Sequence, residues 1–287
     1  MFKSYVISDF LENKISTQYF HINRLEEMPP LPPYIESPHK HRFFEVFIVE
    51  KGLLRQDVDD KSYQIKADQL FFIAQGQLHN WHENIGDVKG FRLMFTEDFF
   101  QSRQSPSPFL HELLYLNNAY ENPFLEIDNF YNIHFLFEQL YQEYLYENHK
   151  IEALQCYLFL ILNEIQKAYK ERFKTKFLNQ DLIVFKKIID LIEQDYANNA
   201  NASDYALKLF LTVKQINRIT QNVVNQSIND IIMSRKIIEA KRLLLYTPLS
   251  AAQISETLGI EDYSYFNRFF KKNTGVTPNT FRQNKGK

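Results

Sequence analysis

A chain of 287 residues that is 45% apolar and 15% aromatic can fill two hydrophobic cores, so two domains are expected. No apolar run reaches bilayer length, and the opening MFKSYVISDFLENKIS holds no secretory core; this reads against a membrane or exported protein and for a cytoplasmic one. The net charge of −2 is unevenly spread, with 18 Lys/Arg against 26 Asp/Glu in the first 181 residues and 15 against 9 in the rest. A basic half beside an acidic one suits a polyanion-binding module joined to a part that does not touch the polyanion. The lone Cys156 excludes an intrachain disulfide and fits a reducing compartment. It lies in an apolar helical run, where packing is its expected role.

From about Ile15 to Phe95, short aromatic and β-branched runs are broken by turn clusters: Met28-Pro-Pro-Leu-Pro-Pro33, Lys51-Gly52, Asp57-Val-Asp-Asp60 and Asn84-Ile-Gly-Asp87. Many short strands at close spacing predict a barrel or sandwich. His39, His41 and Glu45 share parity, which places them on one face of a strand. With Gly52 they resemble the first motif of the cupin family. Asp68, Gly76 and His79 are similar to its second, with Ala74 in place of a proline and Glu83 in place of an asparagine.

That resemblance implies a β-barrel in which His39, His41, Glu45 and His79 match the ligand positions of metal-binding cupins. Three imidazoles and a carboxylate suit a divalent transition metal. The two departures from the motif weigh against one, and the expectation is no stoichiometric metal and no cofactor. The interior, lined by these four residues with Phe43, Phe47, Phe72, Trp81 and Phe91, is the expected small-molecule pocket.

Two amphipathic helices are predicted next, Asn132 to Asn148 and Lys150 to Phe173. Their stripes of Leu136, Leu140 and Tyr144, and of Ile151, Leu154, Leu158, Ile161 and Ile165, would cover the barrel or pair two subunits. The boundaries read as 1–175 for this sensor domain, 176–181 for a polar linker and 182–287 for a helical domain, which a helix over 182–195 opens.

Within the last segment, helix starts can be read from capping chemistry. Thr212-Val-Lys-Gln215 and Ser250-Ala-Ala-Gln253 have capping-box spacing, Asp262 precedes an apolar helical run, and Thr277-Pro278 sets a hydroxyl before a proline at the first helical position. Leu258-Gly259-Ile260 is a tight turn between two of these helices, the outline of a helix-turn-helix. The helix from Asp262 to about Asn273 buries Phe266, Phe269 and Phe270, with Tyr265 beside them, and exposes Ser264, Asn267, Arg268 and Lys271. Fifty residues upstream, Lys214, Asn217, Arg218 and Gln221 stand in the same register. Asn225 matches Gly275, Ser227 matches Thr277, and Ile231 matches Phe281. A repeated polar face of amide and guanidinium groups is what reading base edges needs. Gln215 and Tyr263, in the first turns, complete the candidate DNA-contact set. A helix around Ile231 to Leu245 would hold the two units apart, so that both can enter successive major grooves.

Ala240, Leu243-Leu244, Ile254, Leu258-Gly259, Tyr265-Phe266, Arg268, Phe270-Lys271, Gly275, Thr277-Pro278 and Arg282 together resemble the DNA-binding domain of the AraC/XylS family of transcription regulators. The first unit is more divergent, with Phe210 at the turn-glycine position and Thr220-Gln221 in place of Phe-Lys. The resemblance implies an α+β protein: a cupin-like barrel with following helices, and an all-α domain with two helix-turn-helix units. It implies a non-enzymatic transcription regulator, an activator, that binds double-stranded DNA at tandem half-sites about one helical turn apart. It further implies a small-molecule effector, RNA polymerase as partner, a homodimer and no membrane. A cupin metalloenzyme, a dioxygenase or isomerase carrying a helical appendage, is the alternative; it would have no need of the doubled Asn-Arg face.

Overall fold

The computed structural model describes residues 2–11, 19–81, 87–100, 113, 116, 123–127, 130–173, 179–198 and 200–285. The chain divides into two compact units, Met1–Lys176 and Phe177–Lys287. Glu83, the side chain of Trp81 and residues 176–178 of the expected linker lie outside the described residues.

The first unit is built on β1 (Ser4–Tyr5), β2 (Phe20–Arg24), β3 (Lys40–His41), β4 (Phe44–Lys51), β5 (Leu53–Val58), β6 (Lys61–Lys66), β7 (Gln69–Ile73), β8 (His79–Trp81), β9 (Lys89–Phe95) and β10 (Phe124–Glu126). One antiparallel sheet has the order β10-β7-β4-β9-β2, a second has β6-β5-β8, and β1 pairs with β3 in parallel.

Register decides which side chains face inward. Glu45 lies opposite Ile73 and Met94, and Phe47 opposite Phe71 and Arg92, so these six share the inner face. Phe47, Phe71 and Ile73 pack there with Leu54, Val58 and Ile65 of the second sheet. The outer face carries Val46 opposite Phe72 and Ile48 opposite Phe91. It is covered too: α1 (Phe130–Leu145) sets Phe137 and Tyr141 against Phe91, at ring-centroid distances of 5.9 and 5.6 Å. Phe72 and Phe91 therefore do not line the interior, contrary to the sequence-based expectation. With both faces buried, β4, β7 and β9 lack the apolar–polar alternation that would have told inside from outside. α2 (Ile151–Phe173) buries Leu154, Leu158, Ile161 and Ile165 of the expected stripe, while Ile151, in its first turn, is exposed. Cys156 on the same helix is exposed, not packed.

The second unit consists of α3 (Asn179–Asp195), α4 (Ala202–Lys208), α5 (Val213–Val224), α6 (Ile228–Tyr246), α7 (Ala251–Thr257), α8 (Tyr263–Thr274) and α9 (Pro278–Lys285). α3 starts at Asn179, so positions 179–181 of the expected linker are helical. Reciprocal capping boxes open α4, α5, α6 and α7 at Asn201, Thr212, Ser227 and Ser250, while Asp262 accepts from the Ser264 and Tyr265 amides at the start of α8. Asn225 (φ 54°) and Gly275 (φ 82°) close α5 and α8 in the left-handed conformation. The α4–α5 turn is made by Phe210 at φ 55°, where the α7–α8 turn uses Gly259 at 65°. A phenylalanine held there costs roughly 1–2 kcal/mol relative to glycine, and its ring is 96% exposed.

Candidate nucleic-acid interface and barrel site

α5 and α8 are amphipathic in register. Ile216, Ile219 and Val223 bury one face of α5, and Phe266, Phe269 and Phe270 bury that of α8. Lys214, Arg218 and Gln221 are exposed on the first helix, as are Ser264, Arg268 and Lys271 on the second, with Tyr263 at its start. Tyr265 is exposed as well, lying parallel to Phe269 at 6.1 Å, and so is not part of the buried stripe.

The repeated asparagine is not a freely exposed pair. Asn217 is half-buried, and its Oδ1 accepts the Ile228 amide at 3.0 Å, which ties α5 to the first residue of α6. Asn267 is half-buried in the same way, but its Oδ1 is buried with no hydrogen-bond partner among the described residues. Fifty positions on from Ile228 stands Pro278, which has no N–H to give. Part of the Asn repeat is thus explained by packing between helices. Gln215 is likewise engaged, its Oε1 accepting from the Thr212 amide and hydroxyl at 2.8 and 2.9 Å. Arg218 reaches sideways to α3, where its Nη2 donates to Asp181 Oδ1 at 3.2 Å. Among the described residues Arg268 makes no ion pair.

In the barrel, β3, β4 and β8 bring His41, Glu45 and His79 together, and His39, just before β3, bridges to His79; all four are buried. Donor atoms of His41, Glu45 and His79 lie within 4.8 Å of one another. The His39 and His41 rings sit 4.4 and 4.9 Å from that of His79, and Phe43 stacks on His41 at 4.0 Å. None of the six imidazole nitrogens of His39, His41 and His79 has a hydrogen-bond partner among the described residues; His41 Nε2 lies 3.5 Å from Glu45 Oε2. Burial, with the neighbouring His41, pushes His39 down to about 4. Burial and the flanking His41 and His39 hold His79 well below its ordinary value. Both rings are therefore neutral at pH 7. Burial alone would raise the Glu45 carboxyl, but Arg92 and His41 outweigh it and hold it below its usual range.

Arg92 and Gln56 are interior residues that the motif reading missed. Arg92 Nε donates to Glu45 Oε1. Gln56 is fully buried on β5, with neither amide atom hydrogen-bonded among the described residues. Neither belongs to a recognisable spacing, and a polar residue in a strand is ordinarily read as solvent-facing. Unpaired buried polar groups cost about 1–3 kcal/mol each, and these are placed where the polar groups of a bound molecule could pair with them. A divalent metal fits it only in part. The neutral imidazoles suit one, but one Glu45 oxygen is already bonded to a guanidinium whose charge would oppose a cation.

Residues 205–284 match a helix-turn-helix domain family and residues 25–96 the cupin domain family. The HTH-type transcriptional activator RhaR of Yersinia pestis bv. Antiqua (strain Angola) is 22% identical across 98% of this chain and 92% of its own length. Among solved structures, ToxT from Vibrio cholerae O395 aligns over 93% of this chain and 98% of its own, at 16% identity and a TM-score of 0.42. The C-terminal domain of the two-component response regulator yesN from Fusobacterium nucleatum aligns over 34% of this chain and 97% of its own, at 29% identity and a TM-score of 0.34. No helix among the described residues is long and apolar enough to cross a membrane.

Proposed function

We propose that this chain is a transcription regulator of the AraC/XylS family that binds double-stranded DNA through α5 and α8 under the control of a small molecule held in its cupin barrel. The observation that carries the reading is the pair of capped helices presenting basic and polar side chains at matched positions: Lys214, Arg218 and Gln221 on one, Ser264, Arg268 and Lys271 on the other. Tandem half-sites about one helical turn apart follow from two such helices joined by α6. The name of the RhaR relatives supports activation, and with it a contact to RNA polymerase. Exposed Tyr131, Phe135 and Leu145 on α1 support a homodimer. A regulator of this kind needs no catalysis of its own and works in the cytoplasm.

The test is titration of the full chain with duplexes selected from a random library. Affinity is expected to fall by about 10³–10⁵ between 50 and 200 mM salt, if six to ten phosphates are contacted. Arg268→Ala is expected to cost about 1–3 kcal/mol and to flatten the preference at one base pair, as loss of a bidentate contact does. Lys271→Ala should weaken all sequences alike. Uniform loss in Arg268→Ala across a base-substitution scan would remove its base-reading role.

The barrel occupant is read as a small polar effector that satisfies the imidazoles and the Gln56 amide, with no stoichiometric metal. Elemental analysis of protein prepared without a His-tag checks this. One transition metal per chain, lost in His41→Ala, would overturn it and favour the metalloenzyme alternative.

A further inference from the structure

Asp181 is a buried carboxylate in the first turn of α3. Among the described residues, its three hydrogen bonds to side chains all come from α5: Arg218 Nη1 donates to Oδ2 at 3.5 Å, Arg218 Nη2 to Oδ1 at 3.2 Å, and Asn222 Nδ2 to Oδ2 at 3.0 Å. Arg218 keeps 57% of its side chain exposed, so it stands at the surface while both terminal nitrogens are turned to a carboxylate. Those two nitrogens form the fork that takes guanine O6 and N7. In the second unit, Arg268 and Lys272 hold the positions of Arg218 and Asn222, both exposed, and Arg268 has no carboxylate partner among the described residues. Lys214 and Gln221, which flank Arg218 on α5, remain exposed.

We propose that Asp181 is a specificity-determining residue: by occupying the guanidinium fork of Arg218 it leaves the first helix-turn-helix chiefly to contact phosphates and gives base selection mainly to Arg268. The inference rests on α5 and α8 being the DNA-facing helices. A carboxylate beside Arg218 both fills the donors that a guanine would use and neutralises the charge that draws the helix to DNA. A base at this position must displace an internal partner, whereas Arg268 has none to give up. The divergent first unit is then a weaker reader because of a residue on another helix, 37 positions upstream of Arg218. The local sequence of α5 does not show it.

The experiment is a double-mutant cycle in the full chain, on a duplex selected from a random library and on its single-base variants. Arg218→Ala is expected to cost about 3-fold in the wild-type chain and about 30-fold in Asp181→Asn, where the freed fork can pair with a base. Asp181→Asn should also sharpen the preference at one base pair about a helical turn from the one read by Arg268. Arg268→Ala, made in both backgrounds, reports whether the second unit still folds and binds. Equal costs of Arg218→Ala in the two backgrounds overturn the proposal. So does a first-half-site preference present in wild type and lost in Asp181→Asn, since Asp181 would then brace Arg218 for reading. If Asp181→Asn does not fold, the wild-type comparison decides: Arg268→Ala must cost at least several-fold more than Arg218→Ala, and equal losses overturn the proposal. A full chain that selects no motif at all removes the DNA reading underneath, an outcome distinct from the others.

Discussion

Glu239→Gln is expected to destabilise the unit Phe177–Lys287 by about 3–5 kcal/mol, the loss typical of removing one member of a buried ionic cluster. Glu239 lies on α6 between two buried arginines and accepts from Arg235 Nη1 at 3.1 Å and Arg242 Nη1 at 3.0 Å. Arg235 also donates through Nε to Glu193 on α3 at 2.6 Å, and its guanidinium sits 4.0 Å from the ring centroid of Tyr196. The cluster thus fastens α6, which joins the two helix-turn-helix units, to α3. An amide at position 239 keeps the shape and removes the charge that Arg235 and Arg242 share, so that Glu193 is left to offset Arg235 alone. Denaturant unfolding should show a lower midpoint with an unchanged slope, and specific DNA binding should fail at correspondingly lower temperature. Replacing Arg235, Glu239 and Arg242 together by apolar residues of similar volume is expected to recover most of the loss, because three desolvation penalties leave with the charges. A Glu239→Gln chain that unfolds at the wild-type midpoint would show that apolar packing alone fixes α6.

What could be read from the sequence is what local chemistry determines. Thr212, Ser250 and Asp262 announce helix starts because a capping side chain answers amides two or three residues away. Asn225 and Gly275 announce helix ends because few residues tolerate the left-handed conformation. His39, His41, Glu45 and His79 lie close together, the arrangement that the resemblance to the cupin motifs implies. What failed depends on register or on distant partners. Phe72 and Phe91 read equally well as inward or outward, because strands buried on both faces give no cue of direction. The inward direction of Arg92 is set by its register opposite Phe47, which no local sequence signal encodes. Asp181 reads as the tail of a polar linker, and only the fold brings α5 against it. Asn217 looks like half of a repeated reading pair, yet its carbonyl is committed to the start of α6. A repeat in sequence can record a repeated contact within the fold as readily as a repeated contact with a partner.

The unit Met1–Lys176 is expected to lose stability steeply as pH falls from about 6.5 to about 4. Burial, with Arg92 adding to it, pushes His21 down to about 4, and burial with His41 does the same to His39. Both are neutral when folded, and both take up a proton on unfolding anywhere between the two values. Since the unfolded state then binds more protons, stability rises with pH across this window and is lost on acidification. A shift from 6.5 to about 4 corresponds to about 3 kcal/mol for each group. His79 is displaced in the same direction. Glu45, held below its ordinary value, adds a further loss once pH falls through its folded value, at the acid end. Every histidine of the chain lies in the first 149 residues, so the second unit carries no such liability in this range. The sole tryptophan, Trp81, is also in the first unit and reports on it selectively. Urea unfolding of the chelator-treated chain, followed by Trp81 fluorescence from pH 7.5 to 4.5, should show a falling midpoint. Loss of helical circular dichroism from the second unit should change far less. His21→Gln, which removes one titrating ring outside the metal-capable cluster, should flatten the slope by about one proton's worth. A tryptophan midpoint that stays constant from pH 7 to 5 would mean that the buried imidazoles gain no charge on unfolding.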